Sequence, residues 1–134
     1  LRELEGCEQI WHAGDVGSPE VLEGLGKVAP VTAVRGNVDR ASWADALPLT
    51  AVVAVEGLRV YLLHNLEDLR LDPLAAGFDL VISGHSHRYT QENKDGVLYL
   101  NPGSAGPRRF GLPLSLALLH IEGKQVSVDR VDLE

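Results

Sequence analysis

A chain of 134 residues with 45% hydrophobic and 23% charged residues has the size and composition of one soluble globular domain with its own core. Its formal net charge of −7 argues against a general nucleic-acid binder, though not against a small phosphate substrate held by the local charge of a metal. A single cysteine, Cys7, excludes an internal disulfide, and no apolar run approaches transmembrane length. No signal peptide is visible, so the expected setting is cytoplasmic, away from membranes, with Cys7 a buried small hydrophobe.

In chain order, Leu1 to Glu5 reads as a helix tail that Gly6 stops. Gln9 to Ala13 reads as a strand running into Gly14-Asp15. Ser18-Pro19 starts a helix with a stripe of Val21, Leu22 and Leu25, and Val28 to Val34 is a second strand closed by Arg35-Gly36-Asn37-Val38-Asp39. Thr50 to Val55 and Leu58 to Leu63 form a pair turning at Glu56-Gly57, and the second strand runs into His64-Asn65. Leu66 to Ala76 is expected to be partly helical, interrupted at Pro73. Leu80 to Ile82 is a buried strand ending in Ser83-Gly84-His85-Ser86-His87, and extended backbone would send both imidazoles to one side. Tyr89 to Asn93 and Val97 to Leu100 flank the hairpin signal Asp95-Gly96. Asn101-Pro102-Gly103-Ser104 reads as irregular loop, and the chain closes with a hairpin turning at Gly123-Lys124. Strand–helix units followed by hairpins indicate a layered α/β domain.

Four strand ends therefore carry Asp15, Asn37, His64, and His85 with His87. Carboxylate, amide oxygen and imidazole make a mixed ligand set for a divalent transition metal, and the absence of cysteine from it argues against a structural zinc site. Each residue alone has a plain alternative: Asp15 and Asn37 suit turns after glycine, and His64 could be a satisfied histidine at a strand end. Five such residues at four strand ends favour metal binding. His12 is expected to be structural or to support a ligand, His120 to lie on the surface, and Arg108 and Arg109 to be either phosphate contacts or ordinary surface charge.

The runs His12-Ala13-Gly14-Asp15, Arg35-Gly36-Asn37-Val38-Asp39, His64, Gly84-His85-Ser86-His87 and Asn101-Pro102-Gly103-Ser104 resemble the calcineurin-like metallophosphoesterase superfamily, in particular its small bacterial and archaeal phosphodiesterases. The resemblance implies a four-layer α/β/β/α sandwich of two mixed sheets and two metal ions bridged by Asp15. It implies that Asn37, His64 and His85 complete one metal site and that His87 belongs to the other. It further implies hydrolysis of a small phosphate ester, most simply a diester, by a metal-bridging hydroxide. Manganese is the expected metal, with iron, zinc or nickel as other fits. Asp39 and His85 are the candidate catalytic residues; Asp39 stands either as proton donor or as a carboxylate that orients a ligand histidine.

The sequence departs from the family pattern in three places. An Asp-x-His run normally supplies further ligands at the end of the first strand, and nothing before Gly14 contains it. The chain also lacks methionine and opens at Leu1, so the expectation is a single domain over residues 1–134 that lacks its first strand through truncation. Val38 stands where many members carry a proton-donating histidine, and Asn65-Leu66 follows His64 in place of Gly-His. The rival reading is a catalytically weak or inactive scaffold that binds a protein partner, as a retromer subunit of similar fold does. A nucleotide-binding α/β domain finds no glycine-rich phosphate loop to support it. Self-association is left open.

Overall fold

Strands form here through alternating burial, and they are joined by turns whose backbone few side chains tolerate. The computed structural model describes residues 4, 6–14, 19–36, 47–86, 88–103, 115–123 and 125–133. Its elements are β1 (Ile10–His12), α1 (Pro19–Gly26), β2 (Val31–Ala33), β3 (Thr50–Val55), β4 (Leu58–Leu63), a short 3-10 turn (Leu66–Asp68), β5 (Leu80–Ile82), β6 (Tyr89–Lys94), β7 (Val97–Pro102), β8 (Ser115–Glu122) and β9 (Gln125–Asp132). Glu56-Gly57 and Asp95-Gly96 close their hairpins with positive φ at both residues, +50° and +81° in the first and +54° and +84° in the second. That handedness matches the twist of the flanking strands.

β4, β5 and β7 run parallel through the centre of a five-stranded sheet of order β3-β4-β5-β7-β6, whose edge strands are antiparallel to their neighbours. β1 and β2 pair in parallel, and β8 and β9 form an antiparallel pair. One face of the large sheet buries Val60, Leu62, Leu80, Ile82 and Leu100 against Trp11, Ala117, Leu119 and Val128 from β1, β8 and β9. Its other face buries Leu63, Val81 and Val97 against Leu69. Ile10, facing away from Trp11 along β1, packs on Leu25 and Ala29 beneath α1. The result is a mixed α/β fold with sheets in layers, as expected; of the two helical layers of the expected four-layer sandwich, the described residues include the one formed by α1.

Local details differ from expectation where tertiary contacts intervene. α1 turns Leu25 inward but leaves Val21 39% exposed, so its apolar stripe is narrower than the spacing suggested. The segment expected to be partly helical keeps only the 3-10 turn, capped by Asn65, which accepts the Glu67 N–H at 3.1 Å. Cys7 is half-buried rather than buried. β7 runs through Asn101 and Pro102, where loop is expected, because Thr90 and Tyr89 of β6 continue to pair with them. Ser115, 2% exposed, ties β8 to that extension by donating to the Pro102 carbonyl at 2.8 Å. Ser115→Ala is expected to lower stability by about 1 kcal/mol in urea unfolding, the usual worth of one such bond. An unchanged midpoint would mean that β7 and β8 are held together without it.

Candidate metal centre

The parallel register sets the site. Leu62 lies beside Ile82, and Ile82 beside Leu100, so the chain leaves β4, β5 and β7 at one edge of the sheet. His64, Gly84 and Asn101 therefore meet: Gly84 donates its N–H to the His64 carbonyl at 2.8 Å, and Asn101 Nδ2 donates to the Gly84 carbonyl at 2.9 Å. β1 and β2 deliver their own ends to the same place. His64 Nδ1 lies 2.7 Å from the Ala13 carbonyl oxygen, bridging the two sheets. A Cβ placed on Gly14 would stand 2.6 Å from His64 Nδ1 and 3.0 Å from the Gly36 Cα. Glycine is required at position 14 on both counts, since its φ is +100°. His12 Nδ1 accepts the Gly14 N–H at 3.2 Å, the supporting role expected of it.

Because a carbonyl oxygen only accepts, the contact with Ala13 assigns the proton of neutral His64 to Nδ1 and leaves the Nε2 lone pair to face His85. His64 Nε2 and His85 Nδ1 are 3.3 Å apart, with the rings nearly perpendicular at 83°. Two imidazole nitrogens bound at about 2.0–2.1 Å to one tetrahedral ion would lie roughly 3.3–3.4 Å apart. The pair thus fits two adjacent ligands of one divalent cation. His64 is buried at 6% exposure.

His85 reaches this position by a backbone that the sequence did not suggest. Its φ is +71°, and Ser86 donates its N–H to the Gly84 carbonyl at 2.9 Å, closing a three-residue turn around it. The extended course expected through His85 is therefore replaced by a left-handed turn, a conformation costing about 1–3 kcal/mol for a residue with a side chain. Asp15, Asn37, Asp39 and His87, with Arg108 and Arg109, lie outside the described residues. Among the described residues no three His, Cys, Asp or Glu side chains converge as a metal-binding group. What the structure does place is Gly14, the residue just before Asp15, against His64, with Gly36, the residue just before Asn37, beside Gly14. His120 is exposed and pairs with Asp129 at 3.0 Å, the surface role expected of it.

The residue that sequence reasoning passed over is Asn101, buried at 6% exposure. Its Nδ2 donates to the Gly84 carbonyl and to Ser86 Oγ at 3.0 Å, and its Oδ1 accepts the Gly103 N–H at 3.0 Å. Its sequence signal was the Asn101-Pro102-Gly103-Ser104 run, which carried part of the family resemblance but assigned the asparagine no role at the site. A cleft of about 910 Å³ adjoins the centre, lined by Trp11 and His12 of β1, Ala117 and Leu119 of β8, and His64 and His85. Among the described residues β1 pairs only with β2, and β8 only with β9.

Residues 1–124 match the Calcineurin-like phosphoesterase superfamily domain. The chain belongs to that superfamily. A probable metallophosphoesterase of Methanothermobacter thermautotrophicus is 38% identical over 130 residues, covering 91% of this chain and 74% of that protein. The phosphodiesterase YfcE of Escherichia coli K12 is 34% identical over 109 residues, covering 75% of this chain and 58% of the relative. Among solved structures, wild-type Vps29 of Entamoeba histolytica complexed with zinc superposes with a TM-score of 0.75 at 22% identity, covering 95% of this chain and 83% of the other. An archaeal phosphodiesterase superposes with the same TM-score of 0.75 at 24% identity, over 92% of this chain and 83% of the other. This superfamily member is therefore assigned to the phosphoesterases at family level, and its relatives carry hydrolase names. No described helix is long and apolar enough to cross a membrane.

Proposed function

We propose that the chain is a metal-dependent phosphodiesterase acting on a small phosphate ester. The observation that carries this reading is the 3.3 Å approach of His64 Nε2 to His85 Nδ1 at the junction of two sheets, in a member of this superfamily. In this reading Asp15, Asn37, His64 and His85 hold one divalent ion, manganese foremost, and Asp15 with His87 faces a second. When bound, such ions supply charge neutralisation for phosphoryl oxygens and lower the pKa of water. The chain's own contribution is orientation. Ala13 holds the His64 tautomer, Gly14 leaves room for the ring, and the turn at Gly84 to Ser86 aims His85. Asp39 serves as proton donor or holds a ligand histidine, and Val38, an apolar residue, moves no proton.

The test is turnover of bis(p-nitrophenyl) phosphate by chelator-stripped protein with and without manganese. Turnover that requires the metal is expected. A positioned general acid is usually worth about 10²–10⁴-fold, and Val38 supplies none. With Asp39 orienting a ligand histidine, esters with alkyl leaving groups should be slower by roughly that factor than nitrophenyl esters, whereas with Asp39 as donor the gap closes. Equal rates for the two classes would place a proton donor where Val38 cannot supply one. Metal uptake with no turnover would favour a second reading, a scaffold for a protein partner. Likeness to Vps29, one example of which was solved with a bound cyclic peptide, supports that alternative at the level of fold.

A further inference from the structure

We infer that Asn101 is a positioning residue for His85, bonding the Gly84 carbonyl before that histidine and the Ser86 hydroxyl after it so that its Nδ1 stays within reach of an ion held by His64. The inference rests on the metal-binding reading above and adds a residue to it. A histidine at φ +71° is held in a sparsely populated well, and unless something over-determines it the local chain relaxes to the broad right-handed or extended regions. Asn101 supplies that determination from a neighbouring strand. One amide nitrogen donates on either side of His85, to the Gly84 carbonyl at 2.9 Å and to Ser86 Oγ at 3.0 Å.

The amide cannot be turned over without loss. Its Oδ1 accepts the Gly103 N–H at 3.0 Å, so a flip would set two donors against each other there and set two acceptor oxygens against each other at the Gly84 carbonyl. The Gly84 carbonyl also accepts the Ser86 N–H at 2.9 Å, and the Gly84 N–H is committed to the His64 carbonyl at 2.8 Å. One short peptide thus links the strand of each histidine to the asparagine. Asn101 is 6% exposed, and its neighbour Pro102 is held by Ser115, so the clamp stands on a fixed base. Groups that orient a metal-ligating histidine without touching the metal typically alter affinity by about 10–100-fold.

Cobalt(II) titrations, followed by calorimetry and by the visible ligand-field spectrum, test this on the whole chain. Asn101→Ala is expected to bind cobalt about tenfold or more weakly than wild type and to change the band shape, because His85 no longer keeps one geometry. Gly96→Ala serves as the comparison: it strains the turn at the far end of the β6–β7 hairpin, away from the clamp, yet should retain the wild-type spectrum. Should Asn101→Ala fail to fold in the metal-free state, Ser86→Ala, at an exposed position, removes one of the two amide contacts and should weaken cobalt about threefold. Wild-type affinity and spectrum in folded Asn101→Ala, or in Ser86→Ala where that variant decides, overturns the role of Asn101 alone. Wild-type protein that takes up no cobalt overturns the metal reading, and the clamp falls with it.

Discussion

His64→Ala is expected to lose tight manganese uptake and to lower phosphodiester turnover by about a hundredfold or more. The change removes the Nε2 that stands 3.3 Å from His85 Nδ1, and with it the 2.7 Å contact from Nδ1 to the Ala13 carbonyl that joins the two sheets. Losing a group that merely orients a ligand commonly reduces metal affinity or activity 10–100-fold, so loss of the ligand itself should reach at least the upper end of that range. Some stability should go as well, since His64 is buried and the small side chain leaves a cavity beside Ala13. Metal content by elemental analysis, turnover at saturating manganese, and unfolding in chelator separate these effects. Undiminished turnover in a folded His64→Ala protein would remove His64 from the metal centre.

Gly14→Ala is expected to be strongly damaging, because the added carbon falls on the His64 ring. The added Cβ would stand 2.6 Å from His64 Nδ1 and 2.9 Å from its Cγ, and 3.0 Å from the Gly36 backbone. The ring can clear it only by breaking its contact with Ala13. In addition φ is +100°, a region that side-chain-bearing residues avoid. Backbone strain of about 1–3 kcal/mol and loss of a buried hydrogen bond worth about 1–3 kcal/mol together give roughly 2–6 kcal/mol. That is a large share of the roughly 5–15 kcal/mol available to a domain, and Tm should fall by about 10 °C or more. Gly96→Ala provides the subtraction: φ is +84°, but nothing lies within 4 Å of its added carbon, so only the strain remains. Equal losses at positions 14 and 96 would show that His64 moves aside without penalty.

Much of this protein is legible in its sequence. Alternating and continuous apolar runs marked the strands from Thr50 to Ile82. The Glu56-Gly57 and Asp95-Gly96 pairs marked two tight hairpins, because positive φ is a property of the residue and its immediate neighbours. The chemistry was legible as well, since polar residues just after buried strands stand out against an apolar background. The motifs also carried the family, and with it the expected fold. None of these required knowing which strand lies beside which.

Tertiary structure decided the rest. The parallel order β4-β5-β7 brings His64, Gly84 and Asn101 to one edge, although they are separated by 20 and then 17 positions in the chain. That register made Asn101 a strand residue clamping Gly84 and Ser86, not the opening of a loop. It also holds His85 in a left-handed turn that local preference disfavours and that no spacing rule would suggest. Local sterics and hydrophobic periodicity act within a few residues and can be read from the chain itself. Hydrogen bonds between distant strands exist only once the sheets are packed, and those bonds set the distance between the two histidines.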